Sequence, residues 1–285
     1  MNKLSLFSKI SIFFIVFWLL VFALFPNLLV IGSSFLTKGE NEFLIFTPSL
    51  QSYIKLFDPI YLSVFLDSIY LAVGTTFFAL ILAYPFAYII ATTAKKYKFL
   101  LLLLVIIPFW TSSLVRTYAL IAILKTKGLL NAFLLTIGII NEPLEIMYTQ
   151  TAVFIGMVYT LLPFMILPLY VSIEKIDFKL IEAAKDLGAS KYNIFKTIII
   201  PLSLPGIIAG CTLVFLPSLG MFFIPDILGG AKELIFGSFI RNQFLLFRDW
   251  PFGSAASVVL LLMMFILLAL LAKSQKTTPK PFYKE

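Results

Sequence analysis

Six long apolar stretches, about Ile10–Ile31, Leu66–Ile90, Phe99–Leu124, Thr151–Ile173, Leu202–Ile224 and Ser254–Ala272, leave this chain little choice of solvent. Each is close to the roughly 20 residues that cross a bilayer core as a helix. A backbone in hydrocarbon must satisfy its own hydrogen bonds, so these stretches are expected to be helices rather than open strands. Composition agrees: 61% of the 285 residues are hydrophobic and 13% are charged, against about a quarter charged in soluble domains. That much apolar surface does not fit inside one globular core of this length. The expected fold class is all-α integral membrane, with six transmembrane helices in one continuous domain over residues 1–285.

The first stretch follows Lys3 and Lys9, as a secretory signal would. Its 22 residues exceed a typical signal core and no small-x-small cleavage site follows, so it reads as an uncut span. With the N-terminus inside, residues 1–9, 91–98, 174–201 and 273–285 face the cytoplasm and carry 14 of the 22 Lys/Arg. The three opposite loops carry seven over many more residues, and Arg116 lies within the third stretch. Cytoplasmic loops are enriched in Lys and Arg, which places both termini in the cytoplasm of a bacterial inner membrane. The net charge of +8 is then accounted for by lysines facing anionic lipid, with no nucleic acid required.

Histidine is absent, which removes the commonest general base and the commonest metal ligand. The single cysteine, Cys211, rules out a disulfide within the chain. No Gly-Lys pair occurs, so there is no Walker A phosphate loop, and no Gly-x-Ser-x-Gly elbow, Cys/His metal cluster or dinucleotide fingerprint is present. Soluble catalysis and an ATP site within the chain are both excluded; any ATP and Mg²⁺ belong to a separate polypeptide.

Pro85, Pro108, Pro163, Pro168, Pro205 and Pro217 fall inside the apolar stretches. Each removes a backbone donor and bends a helix, which suits bent helices around a gated path, although proline is also commoner in membrane helices generally. Gly206-Ile-Ile-Ala-Gly210 is a small-xxx-small pattern that permits close helix contact.

Between the fourth and fifth stretches lies a polar island, residues 174–201. Asp177 is placed to cap a helix running through Leu187, and Gly188 to end it in a left-handed conformation. Ser190 could cap a second helix through Ile200, stopped by Pro201. Leu180, Ala183, Ala184 and Leu187 share helical spacing and make a low apolar ridge that a partner can approach closely, with Glu182, Lys185 and Asp186 around its rim. An ordinary solvated hairpin at the membrane surface would look similar.

Glu182-Ala183-Ala184, three residues, Gly188, nine residues, then Ile198-x-x-Pro201 resembles the EAA loop of ABC importer permeases. The one departure is Ile200, where that pattern usually has leucine. The resemblance implies the type I ABC importer permease (MetI-like) fold, in which this loop carries a coupling helix that docks into a cleft of the ATPase. In that family the position of Glu182 pairs with a basic residue of the ATPase, and that of Gly188 forms the turn between two short helices. The implied assembly has a second permease subunit, an ATPase dimer and a solute-binding protein outside the membrane. Tyr159–Tyr170, Ile181–Ser190, Gly229–Lys232 and Phe247–Gly253 resemble the branch that serves spermidine/putrescine importers.

A polyamine is a flexible polycation, best held by carboxylates and aromatic faces. The third to fifth stretches contain no acidic residue. The candidate path or gate residues are therefore Asp67, Asp226, Glu233 and Asp249, placed at the outer side, and Arg116 inside the third stretch. Arg116 either serves an ion pair or gate, answering a carboxylate of a sister subunit, or lies nearer the outer interface and snorkels. The 29 residues Pro225–Gly253 should form one or two short helices near the outer surface, with Arg241 and Arg248 as docking residues for the binding protein. Iron, sulfate or molybdate permeases carry similar loops and remain alternatives for cargo. A secondary transporter would show inverted repeats around midplane carboxylates, and a lipid-acting enzyme would need clustered polar catalytic residues. The sequence shows neither inverted repeats nor broken helices, and without histidine the carboxylates near Asp226–Asp249 are the candidates for such an enzyme.

Overall fold

The computed structural model describes residues 6–39, 43–230 and 235–276. In chain order its helices are α1 (Leu6–Leu19), α2 (Phe25–Ser33), α3 (Gln51–Leu56), α4 (Pro59–Thr92), α5 (Lys95–Trp110), α6 (Ser113–Leu124), α7 (Leu129–Thr136), α8 (Gln150–Glu174), α9 (Phe178–Asp186), α10 (Lys191–Ile194), α11 (Ile200–Gly220), α12 (Phe223–Leu228), α13 (Phe236–Leu245) and α14 (Trp250–Lys276). π-helical turns at Leu20–Leu24 and Phe195–Ile199 join α1 to α2 and α10 to α11. Among the described residues the only strand-like feature is an isolated bridge between Thr37 and Ile45. Among the described residues six helical stretches are long and apolar enough to cross a membrane: Phe7–Ser33, Pro59–Thr92, Ser113–Thr136 (α6 and α7 together), Gln150–Glu174, Lys191–Gly220 and Trp250–Ala269.

Two features depart from the apolar pattern of the sequence. The expected span Phe99–Leu124 is broken: α5 ends at Trp110, Thr111 and Ser112 are extended, and α6 restarts at Ser113. Pro108 weakens the last turn of α5, and the Thr111 hydroxyl donates to the Pro108 carbonyl at 2.7 Å, satisfying an acceptor the helix leaves free. Hydropathy does not register such a break because the flanking residues are equally oily. The second departure is that Pro201 does not stop a helix. The chain runs helically from Lys191 to Gly220, and the wide turn at Phe195–Ile199 sits just upstream, closed by the Ile200 N–H donating to the Phe195 carbonyl. A wider turn relieves the clash between the proline ring and the carbonyl four residues earlier.

Backbone contacts group the described residues into two compact units: those up to Ser63 with Phe239–Leu267, and those of Val64–Ser238 with those from Leu268. In the first unit the Ser33 hydroxyl donates to Ser254 Oγ at 2.7 Å, and Tyr61, Phe239 and Phe252 form a three-ring cluster with centroids 4.9–5.5 Å apart. Phe7–Ser33 itself is apolar on all sides, the pattern of a helix facing lipid or another membrane chain.

The second unit is built on α8, the most buried of the spans. Lipid tails are as apolar as leucine, so its helices are held by close packing rather than by a hydrophobic drive between them. Small residues make that packing possible. On α4, Ala79, Ala83, Ala87 and Ala91 recur every four residues, all buried, and form a flat stripe in the α8 core cluster. On α11, Gly206 and Gly210 lie against α8: a Cβ at Gly206 would come within 2.4 Å of Ser172 Cβ and 2.7 Å of the Pro168 carbonyl oxygen. The small-xxx-small pattern thus finds its partner within the chain. Asn131 is buried and pins the loop after α7, accepting from the Leu144 N–H at 2.9 Å and donating to the Leu144 carbonyl at 2.9 Å.

Candidate functional site

The loop of residues 174–201 has the local structure its residue types dictate. Asp177 Oδ1 accepts from the Lys179 N–H at 3.0 Å and starts α9. At the other end Gly188 adopts φ +79°, and the Gly188 and Ala189 N–H groups donate to the Lys185 and Ala184 carbonyls at 2.8 and 3.0 Å. This is a left-handed helix end that a side chain would strain. Ser190 Oγ then accepts from the Asn193 N–H at 3.3 Å and caps α10.

Ile181 and Ile194, which the sequence reading did not single out, anchor the two short helices. Both are buried in the cluster that also holds Ile173, Ile176 and Ile199. Their signal was present in the sequence, one apolar residue facing the opposite way from the ridge on each short helix. Ala184 and Ile198 are half-buried against the same cluster, so Ala184 faces inward and is not part of the open ridge. What remains exposed is Leu180, Ala183, Leu187 (89%) and Tyr192 (68%), bordered by Glu182, which has no hydrogen bond or ion pair among the described residues. Pro201 is exposed at the start of α11. An apolar ridge with a free carboxylate at its rim, held rigidly by a capped helix pair, is suited to seat in a groove on another protein.

Immediately above this loop α8 and α11 flank a groove of about 630 Å³. Phe164, Pro168 and Val171 line one side, Pro205, Ala209 and Leu213 the other, with Lys175 at the end nearest the loop. Two of the kink-forming prolines therefore face this opening. No carboxylate lines it.

The remaining sequence candidates are dispersed. Asp67 is exposed and borders a small crevice with Tyr70, Gln150 and Ile235 in the second unit. Asp226, half-buried on α12, accepts from the Ser238 hydroxyl at 2.8 Å and does not border that crevice. Glu233 lies outside the described residues. Asp249, in the first unit, is engaged twice: its Oδ1 accepts from the Phe252 N–H at 3.2 Å and its Oδ2 lies 3.9 Å from Lys38 Nζ. Lys55 shares its pocket of about 300 Å³ and sits 4.5 Å from the Phe252 ring centre. A polycation entering there would meet two ammonium groups.

Arg116 is buried on α6, 8% exposed. Its guanidinium lies 5.6 Å from the Phe109 ring centre, its Nε has no hydrogen-bond partner, and no carboxylate of the described residues pairs with it. Of the two expected docking residues, Arg241 donates to Asn242 Oδ1 at 2.9 Å through Nη2, and Arg248 has φ +49° with its guanidinium 5.9 Å from the Phe43 ring.

Comparison with known proteins matches residues 83–276 to the family described as binding-protein-dependent transport system inner membrane component. The spermidine/putrescine transport system permease protein PotB of Salmonella typhimurium strain LT2 is 52% identical over 258 residues, covering 90% of each chain. PotB of Escherichia coli K12 is 53% identical over 244 residues, 86% of this chain and 89% of that one. PotB of Haemophilus influenzae is 49% identical over 252 residues, 88% of each. Among solved structures, a bacterial ABC transporter involved in the import of the acidic polysaccharide alginate superposes with a TM-score of 0.77 at 15% identity, covering 95% of this chain and 96% of that one. At that identity the likeness concerns fold alone. A family match over more than half the chain and half-identity to permeases along nine-tenths of it lead to one conclusion: the chain belongs to the binding-protein-dependent inner-membrane transport components, the multi-pass permease subunits of ABC importers, and is not itself an enzyme.

Proposed function

We propose that this permease carries polyamines, spermidine and putrescine, inward across the membrane. The observation that carries the cargo assignment is 52% identity over 90% of the chain to permeases of spermidine/putrescine transport. The chain forms half of the path with a second permease subunit. The ridge Leu180–Ala183–Leu187, with Glu182 at its rim, docks in an ATPase dimer that binds the ATP and Mg²⁺. Both termini and the coupling loop face the cytoplasm, in keeping with the excess of lysine there. The opposite face receives a polyamine-loaded binding protein, with Arg241 and Arg248 at its edge.

The apolar groove between α8 and α11 suits the methylene segments of a polyamine, and Lys175 at its end disfavours an ammonium group at rest. The charged ends require carboxylates elsewhere: Asp67 and Asp226 on this chain, and others on the second subunit. Asp249, already paired with Lys38, is the least suited of the acidic candidates. Arg116 acts as a gate residue that keeps cations off a resting path.

The test is ATP hydrolysis by the reconstituted complex with its binding protein, titrated with putrescine, spermidine and competing solutes. Polyamines should stimulate hydrolysis and accumulate inside; no stimulation by either would overturn the cargo assignment. Loss of ATPase co-purification on Glu182 or Gly188 replacement supports the coupling role, and full retention removes it.

A further inference from the structure

The end of α8 that enters the coupling loop carries a side-chain cluster outside the site described above. Glu174, the last residue of α8, accepts from Lys98 Nζ at 2.8 Å. Lys98 belongs to the first turns of α5, and its Nζ lies 5.9 Å from the ring centre of Tyr170. Tyr170, one turn before Glu174 on α8, is buried with its ring beside the Lys98 ammonium, and Lys95 adds a second positive charge near the carboxylate.

Both charges sit at the wrong ends of their helices. A carboxylate at a helix C-terminus and an ammonium near a helix N-terminus each oppose the local backbone dipole. Together they offset one another, and only if the two helix ends stay in register. An ion pair this accessible adds little to global stability: the Glu174 side chain is 41% exposed. α8 is in any case already held by the buried Leu169, Ile173 and Ile176.

What the cluster controls is orientation. Only Lys175, Ile176 and Asp177 separate Glu174 from α9, and the Ile176 N–H donates back to the Ile173 carbonyl at 3.1 Å. So short a link transmits any tilt of the α8 end to α9. We propose that Lys98, Glu174 and Tyr170 form a clamp that fixes α5 to the base of α8 and thereby sets the orientation of the coupling helix. This rests on the reading of α9 as the coupling element.

The full chain, in lipid nanodiscs and a Cys211→Ala background, would carry spin labels at the exposed positions Tyr97 and Leu187. Wild type should give one narrow distance distribution. Glu174→Gln and Lys98→Met should broaden it, raising the displaced population by up to about fivefold, the range of an exposed ion pair. The exchange Lys98→Glu with Glu174→Lys, which puts both charges at their favourable helix ends, should narrow it again. In the assembled transporter, cargo moved per ATP should fall in the single variants and recover in the exchange. Unchanged distributions in all the single variants, no recovery in the exchange, or unchanged cargo per ATP despite broadening would each overturn the clamp. Absence of ATP-driven uptake in the wild-type complex would instead refute the function proposed above, while the distance measurements still decide the clamp.

Discussion

Replacing Gly188 isolates one physical effect at the turn after α9. Its φ of +79° lies in the left-handed region, and a Cβ there would meet nothing within 4 Å. Sterics with neighbours therefore contribute nothing, and Gly188→Ala costs only the backbone penalty of an L-residue, about 1–2 kcal/mol. That is a factor of about 5–30 in the population of the closed turn. The turn is held by the N–H groups of residues 188 and 189 donating to the Lys185 and Ala184 carbonyls at 2.8 and 3.0 Å. Hydrogen exchange of those two amides in nanodiscs should accelerate by about the same factor in Gly188→Ala. It should accelerate further in Gly188→Val, whose branched Cβ tolerates that region least. Asparagine visits the left-handed region more readily, so Gly188→Asn should recover much of the protection. ATPase co-purification should follow the order Gly, Asn, Ala, Val. Exchange in Gly188→Ala as slow as in the parent, or no advantage of Asn over Ala, would refute the reasoning.

Gly206→Val should lower the thermal midpoint by forcing α8 and α11 apart, a loss of about 1–3 kcal/mol or more, since the Pro168 carbonyl 2.7 Å away cannot yield as a side chain would. Gly220→Ala, where a Cβ meets nothing within 4 Å, is the matched control and should leave the midpoint unchanged. Arg116→Met removes a charge that costs about 2.5–3.5 kcal/mol to place in a membrane. The variant should melt higher than the parent while polyamine uptake falls; unimpaired uptake would remove Arg116 from the gate.

Much of the loop between α8 and α11 was legible from residue types because its structure is local. A cap at Asp177, a left-handed glycine at 188 and a second cap at Ser190 each depend on neighbours within four residues, and the structure has all three. Five of the six membrane-length stretches were equally legible, because the bilayer imposes one length and one polarity on every span; the third, expected over Phe99–Leu124, runs instead from Ser113 to Thr136. The break at Thr111–Ser112 was not, since an oily run reads the same whether or not its helix is continuous. Nor was the passage of the helix through Pro201, because a widened turn upstream leaves no mark in composition.

The sequence by itself therefore determined the solvent, most of the membrane helices and the caps, all consequences of short-range hydrogen bonding and side-chain polarity. Only the tertiary structure decided that Ala184 turns inward while Leu187 stays open, that Gly206 packs on α8, and that Asp249 is bound to Lys38. It also decided that Lys98 meets Glu174. These pairings join residues up to 211 positions apart, and a charge or a small side chain carries no label for its distant partner until helix packing brings the two together.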